Sequence, residues 1–138
     1  TLLLGYRGPG GAPVTAVDAD GWFHTGDVAT IGPDGWHRIV GRASIDIIKS
    51  GGYKIGAGEV EGALLAHPAV REAAVVGQPD DDLGERVVAF VVAEGVTAGE
   101  LVAFVAGSLS AHKRPRVVHL VSGLPRNAMG KVQKRQLR

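Results

Sequence analysis

The first third of the chain alternates short apolar runs with glycine- and proline-containing turns. The runs 28–31 and 36–40 flank residues 32–35, whose sequence is Gly-Pro-Asp-Gly. Pro-Asp-Gly between two apolar runs is a strong turn signal, so we predict a β-hairpin here. Thr1–Gly5 has the pattern of a strand entered in mid-course, and no initiator Met precedes it. We therefore expect the chain to be the end of a longer protein.

The pattern changes after this hairpin. Short apolar runs at 45–49 and 53–55 surround a Ser-Gly-Gly turn at 50–52, which predicts two more strands. A helix should follow over about 58–66. Pro68 should end it, because the residue before a proline disfavours the α conformation. The apolar face of this helix would carry Val60, Ala63 and Leu64.

Two apolar runs, 70–77 and 86–93, are separated by the acidic segment 80–85. We predict two antiparallel strands joined by a solvated loop. The loop lacks the Asp-x-[Asp/Asn]-x-[Asp/Asn]-Gly spacing of a calcium site, and the histidines lack the spacing of a zinc site. No metal site is therefore predicted.

Thr97 and Glu100 form a capping box that opens a second helix. A strand at 117–121 and a short final helix at 132–138 should complete the chain. The buried stripe of the second helix would carry Leu101, Phe104, Val105 and Leu109. From about residue 43 onward the pattern therefore predicts a small α+β domain.

Composition is typical of a globular protein, with 45% hydrophobic and 21% charged residues among 138. The absence of cysteine excludes disulfides and thiolate metal sites and agrees with a reducing cytoplasm. No secretory apolar segment opens the chain, and no apolar run reaches the roughly 18 residues of a membrane span. We expect a cytoplasmic protein without a membrane partner.

Charge is distributed unevenly along the chain. The net charge is only +1, but no acidic residue follows Glu100, while lysines and arginines continue to the C-terminus. Such a basic segment indicates either an anionic ligand or a polyanion such as nucleic acid.

The segment 125–131, Pro-Arg-Asn-Ala-Met-Gly-Lys, draws attention to Lys131. The proline fixes the entry to a loop, and the glycine allows a sharp turn just before the lysine. Such a loop can carry an ammonium group into a neighbouring cleft, where a compact charge suits the neutralisation of phosphate oxygens. The alternative is a surface lysine that opens a short C-terminal helix.

Two charged residues near the hairpin suit a nucleotide. The carboxylate of Asp27 can accept two hydrogen bonds from ribose hydroxyls; the alternative is a local turn in which it bonds only its own backbone. Arg42 can offer a two-pronged contact to phosphate or ribose. Its alternative is an inter-strand salt bridge.

Residues 49–61 combine glycines with positive charge. Gly51 and Gly52 allow a ligand to approach the backbone closely, and Lys49 and Lys54 lie on either side of them. No Walker A loop and no dinucleotide fingerprint is present. The alternative is a plain hairpin turn.

Taken in this order, four motifs resemble those of the adenylate-forming superfamily, which contains acyl-CoA synthetases, luciferases and the adenylation domains of peptide synthetases. The motifs are residues 21–27 (Gly-Trp-Phe-His-Thr-Gly-Asp), 41–42 (Gly-Arg), 49–61 and 125–131. The resemblance covers the whole chain and corresponds to the C-terminal quarter of an acyl-CoA synthetase.

The resemblance implies a division of the chain into three parts. Residues 1–42 would be the β-rich end of a large N-terminal domain, and residues 47–138 a small, mobile C-terminal α+β domain. The hinge between them would be Ala43, Ser44, Ile45 and Asp46. The phosphate loop and the acid pocket would belong to the preceding N-terminal domain, so residues 1–138 alone are not expected to form an adenylate.

Residue roles also follow from the resemblance. Lys131 would be catalytic, bridging the substrate carboxylate and the α-phosphate during adenylation, with Asp27, Arg42 and Lys54 as further nucleotide contacts. The small domain would then turn, withdraw Lys131 and present a second loop to coenzyme A (CoA). The CoA contacts would be Lys49, Ser50, Gly51, Gly52 and Tyr53.

The implied activity is ATP-dependent joining of a small carboxylic acid to CoA through acyl-AMP. Residues 50–61 and 113–138 are most similar to malonyl-CoA synthetases, which makes malonate or methylmalonate the expected acid. ATP or AMP, CoA and Mg²⁺ would be required, with the Mg²⁺ carried by ATP rather than by this chain.

Two alternatives remain open at this point. An adenylation domain that loads a carrier protein would carry the same motifs. A non-catalytic basic module that binds nucleic acid would explain the charge, but no aromatic or arginine ladder interleaves the basic residues as in stacking surfaces. We therefore expect no nucleic-acid partner.

Overall fold

The computed structural model of the chain describes residues 5–138, so almost all of the strand expected at Thr1–Gly5 lies outside the described residues. A small antiparallel ladder comes first. Its strands are β1 (Tyr6–Arg7) and β2 (Pro13–Val14), which pair around a 3-10 turn at Pro9–Gly11.

The predicted hairpin is confirmed. Strands β3 (Asp27–Ile31) and β4 (His37–Arg42) pair antiparallel. In the turn between them, the N–H of Gly35 donates to the carbonyl of Gly32 at 2.9 Å. The φ of +79° at Gly35 explains why glycine occupies that position.

The remainder of the described chain forms a five-stranded sheet. Its strands are β5 (Ile47–Ser50), β6 (Tyr53–Gly56), β7 (Val70–Asp80), β8 (Gly84–Ala93) and β9 (Val117–Leu120). The order is β6-β5-β8-β7 with antiparallel pairing, and β9 adds to β8 in parallel. The predicted pairing of the two long strands is confirmed by the β7–β8 ladder, which runs from Val70–Ala93 to Asp80–Gly84.

Two helices pack on this sheet. Helix α1 (Ala57–Leu65) follows β6 directly, and α2 (Ala98–Val105) follows β8. The predicted capping box is confirmed, because Thr97 Oγ1 accepts from the N–H of Glu100 at 3.3 Å and Glu100 Oε2 accepts from the N–H of Thr97 at 2.8 Å. The α+β class is confirmed as well.

The main core lies between the two helices and one face of the sheet. Its largest fully buried side chains are Ile48, Ile55, Val60, Leu64, Val75, Val87, Val91, Leu101 and Val105. Side chains alternate across a strand, so the opposite face carries a second, smaller cluster of Ala74, Val92 and Leu124. The C-terminal segment packs on this cluster through Val121, Val132 and Leu137. The segment that contains Lys131 therefore lies on the face of the sheet away from the helices.

Three details differ from the sequence predictions. Phe104 is 41% exposed rather than buried, and its ring contacts His67 edge-on at a centroid distance of 4.8 Å. Leu109 is buried as predicted but lies beyond the end of α2. The final helix predicted at 132–138 is reduced to a 3-10 turn at Lys134–Leu137, because the residues before it are held in an extended bridge.

We expect Leu64→Ala to lower the free energy of unfolding by about 2–5 kcal/mol, because Leu64 is fully buried in the core. Leu65→Ala is the matched control: the side chain of Leu65 is 48% exposed, and its loss should cost less than about 1 kcal/mol. Urea denaturation measures both changes. Equal losses would contradict the orientation of α1.

Candidate functional site

One asparagine side chain holds the loop that carries Lys131. Asn127 Oδ1 accepts hydrogen bonds from the N–H of Met129 at 3.0 Å and from the N–H of Lys131 at 2.9 Å. The N–H of Asn127 donates to the Lys131 carbonyl at 2.9 Å, and Gly130 completes the turn at a φ of +78°. An asparagine that bonds nearby backbone groups is a known turn signal, so this role could have been predicted from the sequence.

Lys131 lies at an open cleft. The residue is exposed, and within residues 5–138 its ammonium group takes part in no hydrogen bond or salt bridge. The cleft has a volume of about 780 Å³, and we call it the lysine cleft. Its lining includes Arg42, Ser44, Asp46, Lys131, Lys134 and Arg135. The structure thus brings Lys131, Arg42 and the predicted hinge segment to one opening.

Asp27 and Arg42 face each other across the β3–β4 ladder. Nε of Arg42 lies 2.9 Å from Oδ1 of Asp27, which confirms the inter-strand salt bridge. The alternative in which Asp27 bonds only its own backbone is wrong, since its carboxylate binds Arg42 and its N–H donates to Thr25 Oγ1 at 3.1 Å. The Arg42 side chain is 63% exposed, so water screens this pair and it can exchange partners at low cost.

A largely buried ion-pair cluster lies close to Lys131 in the sequence. Nζ of Lys134 is 2.6 Å from Oδ1 of Asp46 and 2.8 Å from Oε1 of Glu61, and the Lys134 side chain is only 15% exposed. We call these three residues the Lys134 cluster. The sequence reasoning missed it, although it assigned Asp46 to the hinge.

The predicted hinge, residues 43–46, forms a turn between β4 and β5. The N–H of Asp46 donates to the Arg42 carbonyl at 2.8 Å, and the Asp46 carbonyl accepts from the N–H of Ala57 at 2.7 Å. Gly41 is required beside this turn. It has a φ of +149°, and a Cβ atom there would lie 2.6 Å from Cβ of Asp46. The hinge role itself stays a prediction.

Burial and ion pairing act in opposite directions on the Lys134 cluster. Burial raises the pKa of Asp46, but hydrogen bonds from Lys134 and from the N–H of Arg42 outweigh it, and the pKa lies below its usual value. Burial lowers the pKa of Lys134, but hydrogen bonds to Asp46 and Glu61 outweigh it and leave that pKa raised. Both groups therefore stay charged at neutral pH.

The β5–β6 connection is a two-residue turn formed by Gly51 and Gly52. Their φ values of +55° and +83° are typical of a type I′ turn, so the hairpin alternative is confirmed, and a CoA role stays a prediction. Lys49 and Lys54 are direct cross-strand partners. Like charges opposite each other repel, and a phosphate group near them would relieve that repulsion.

A second opening lies beside this turn. It has a volume of about 190 Å³, and we call it the turn pocket. Its lining includes Ser50, Gly51, Tyr53, Leu83, His112 and Arg116. The rings of Tyr53 and His112 stack at a centroid distance of 4.0 Å. None of the residues that line the turn pocket lines the lysine cleft, and the predicted ligand residues Lys49, Gly52 and Lys54 line neither.

Two kinds of site are not found in the described part of the chain. Across residues 5–138, no group of three or more His, Cys, Asp or Glu side chains is placed to hold a metal ion. In the acidic loop, Asp80 Oδ1 instead accepts from the N–H groups of Asp82 at 3.1 Å and Leu83 at 3.0 Å. Within the same range, no helix has the length and hydropathy needed to cross a bilayer.

Comparison with known families resolves the family of the chain. The profile of the family described as "AMP-binding enzyme C-terminal domain" matches residues 59–131, which is more than half of the chain. The chain belongs to this AMP-binding family. The predicted relationship to the C-terminal part of adenylate-forming enzymes is therefore confirmed.

Relatives of this family member include CoA ligases. The mitochondrial malonate–CoA ligase ACSF3 from Bos taurus is 47% identical over 125 residues, which are 88% of this chain and 21% of the relative. ATP-bound MatB from Rhodopseudomonas palustris is 40% identical with a TM-score of 0.79. The o-succinylbenzoate CoA synthetase MenE from Bacillus subtilis, in complex with the acyl-adenylate OSB-AMP, is 39% identical with a TM-score of 0.81. Both structural alignments cover 89% of this chain and 25% of the other, so the chain spans about a quarter of their length or less.

We expect Asp46→Asn to lower the free energy of unfolding at pH 7 by about 1–3 kcal/mol, because it removes a charge that holds Lys134. The pKa of Asp46 in the folded protein lies below its ordinary value of 3.8. Its contribution is therefore present above that value and is lost as the pH falls through the folded pKa.

The difference in unfolding free energy between parent and variant, measured by urea denaturation at pH 7 and below pH 3.8, should shrink as the pH falls below 3.8, the ordinary pKa of Asp46. Asp82→Asn, in the exposed acidic loop, serves as the control and should show little difference at either pH. A difference for Asp46→Asn that stays constant down to pH 2 would contradict the ion pair.

Proposed function

We propose that the chain is the C-terminal part of an ATP-dependent acid–CoA ligase. The acid would react with ATP to give acyl-AMP and pyrophosphate, and acyl-AMP would react with CoA to give acyl-CoA and AMP. The observation that carries the proposal is the lysine cleft. Lys131 and Arg42 line it together, and the ammonium group of Lys131 has no partner within residues 5–138. Family membership and the ligase relatives support it.

In the adenylation step, two anions must approach each other, the substrate carboxylate and the α-phosphate. Lys131 would lie between them and offset the negative charge that grows as the carboxylate oxygen attacks phosphorus. The ordered loop supports this role, because a positively charged group that is already held in place needs little reorganisation during the reaction.

Asp27 and Arg42 would hold the ribose and a phosphate oxygen during the same step. Oδ1 of Asp27 is engaged by Arg42, while its Oδ2 has no hydrogen-bond partner within residues 5–138 and can accept from a ribose hydroxyl. The exposed guanidinium of Arg42 retains N–H groups for a phosphate or ribose oxygen. Lys54 would contribute further positive charge to the nucleotide.

In the thioester step, a different part of the chain would face the substrate. The turn pocket shares no lining residue with the lysine cleft, which supports separate openings for the two half-reactions. Ser50, Gly51, Gly52 and Tyr53 would contact the pantetheine arm of CoA, and Lys49 one of its phosphates. The mobile domain, residues 47–138, would rotate about residues 43–46 relative to residues 1–42. This rotation would replace the lysine cleft by the turn pocket at the substrate.

The substrate and location are the finer parts of this proposal. The name of the bovine malonate–CoA ligase supports a small dicarboxylic acid such as malonate or methylmalonate. Mg²⁺ would enter with ATP. The absence of cysteine agrees with a reducing compartment such as the cytoplasm, although the bovine relative is named mitochondrial.

We expect Lys131→Ala, in the full-length enzyme that contains this chain, to slow acyl-AMP formation by at least about 100-fold. Thioester formation from supplied acyl-AMP should be nearly unchanged, because Lys131 would have left the site by then. Pyrophosphate release measures the first step and free thiol consumption the second. Met129→Ala, in the same loop and 85% exposed, is the control, and equal loss in both steps would refute the role of Lys131.

We expect Gly52→Asn to slow thioester formation by about tenfold or more while sparing acyl-AMP formation. Asparagine tolerates the positive φ of this position better than other non-glycine residues, and a Cβ atom added there meets no atom within 4 Å in the protein. The loss would therefore report a blocked ligand path. Gly35→Asn is the matched control, since Gly35 has a φ of +79° and equally open surroundings.

A normal thioester rate in Gly52→Asn would refute the proposed CoA path. The same assay with free CoA and with a pantetheinylated carrier protein separates a CoA ligase from a carrier-loading enzyme. A preference for the carrier would replace the CoA assignment and leave the adenylation step intact.

A further inference from the structure

The burial of Lys134 is unusual for a lysine. Its side chain is 15% exposed and its ammonium group lies between two carboxylates. Lysine is rarely buried without anionic partners because removing its charge from water is costly. A lysine exposed to water would need no such partners. The two carboxylates beside Lys134 therefore indicate that its burial has a structural role.

Each carboxylate of the Lys134 cluster also accepts a hydrogen bond from the backbone of another segment. Oε1 of Glu61 in α1 also accepts from the N–H of Val75 in β7 at 2.8 Å. Oδ2 of Asp46 accepts from the N–H of Arg42 at 3.0 Å. One ammonium group therefore joins the C-terminal segment to α1, to β7 and to the last residue before the predicted hinge.

The same segment carries Lys131 only three residues earlier in the chain. On its other side the Lys131 loop is fastened to β7 by the ion pair between Arg126 and Glu72. The two ends of the loop are also tied together, because the N–H of Gln133 donates to the carbonyl of Pro125 at 2.8 Å. The loop is thus attached to the sheet before Lys131 and to the hinge region after it.

We propose that Lys134 is a positioning residue that fastens the Lys131 loop to Asp46, so that the loop and Asp46 move as one rigid unit. The inference rests on the proposed function, and it deepens it by naming what places Lys131. Asp46 then belongs to the moving domain, and the backbone rotation between the two half-reactions is confined to residues 43–45. In that rotation both hydrogen bonds between Arg42 and Asp46 break, one from the Arg42 N–H to Oδ2 of Asp46 and one from the Asp46 N–H to the Arg42 carbonyl. The contact between Lys134 and Asp46 persists.

The test compares Lys134→Met with Lys134→Arg in the full-length enzyme. Methionine fills similar volume without charge, whereas arginine can still bridge two carboxylates. With malonate as the acid, Lys134→Met should slow acyl-AMP formation by about 100-fold through misplacement of Lys131. Its KM for ATP and its thioester formation from supplied malonyl-AMP should stay within about threefold of the parent. Lys134→Arg should recover most of the lost rate.

Hydrogen–deuterium exchange gives a readout that does not depend on activity. In Lys134→Met, peptides covering residues 42–47 and 127–133 should exchange about tenfold faster or more, while α2 stays protected. Lys113→Met is the matched control, because Lys113 pairs with Glu59 of the same helix at 2.7 Å but has no link to the Lys131 loop. It should leave exchange in both peptides unchanged.

The inference is overturned if Lys134→Met leaves exchange in both peptides unchanged, or if Lys134→Arg is as impaired as Lys134→Met. It is also overturned if exchange rises equally in α2, since Lys134 would then only stabilise the whole domain. If the unsubstituted enzyme forms no acyl-AMP, the proposed function fails instead, and the exchange data still decide whether Lys134 joins the loop to Asp46.

Discussion

An ammonium group leaves water only at a high cost in free energy unless anionic groups replace its hydration. This constraint governs how the last segment of the chain lies against the rest. Lys134 meets it with Asp46, which precedes the main sheet, and with Glu61 in the first helix on that sheet. Solvation of one side chain thereby sets the position of a loop whose own lysine stays exposed.

The basic character of the C-terminal third has a structural explanation. Most of its cations neutralise acids from earlier in the chain or bind backbone carbonyls. The contacts are Lys113 with Glu59, Arg126 with Glu72, Lys134 with Asp46 and Glu61, Arg114 with the carbonyls of Leu109 and Ala106, and Arg138 with the carbonyl of Ile45. Much of the uneven charge along the sequence is therefore neutralised by ion pairs within the fold. Lys131 differs from these cations because its ammonium group has no partner within residues 5–138, which leaves it available to the proposed nucleotide.

Local chemistry made much of the fold predictable. The Gly-Pro-Asp-Gly turn and the box formed by Thr97 and Glu100 depend on residues a few positions apart, and both occur where expected. The loop that carries Lys131 was predicted in the same way, from its proline and glycine. The contact between Lys134 and Asp46 was not predicted, because the two residues lie 88 positions apart. Only the return of the C-terminal segment across the sheet brings them together.

Gly41, in the β3–β4 hairpin, lies against Asp46 of the Lys134 cluster, and the lack of a side chain at Gly41 makes this approach possible. Its Cα passes so close to Asp46 that a Cβ atom would lie 2.6 Å from that side chain. Even alanine would push Asp46 away from its lysine, and the disturbance would travel along Lys134 to a loop on the far face of the sheet. Substitution of Gly41 is therefore constrained by Lys134 near the other end of the chain, although the two residues are linked only through Asp46.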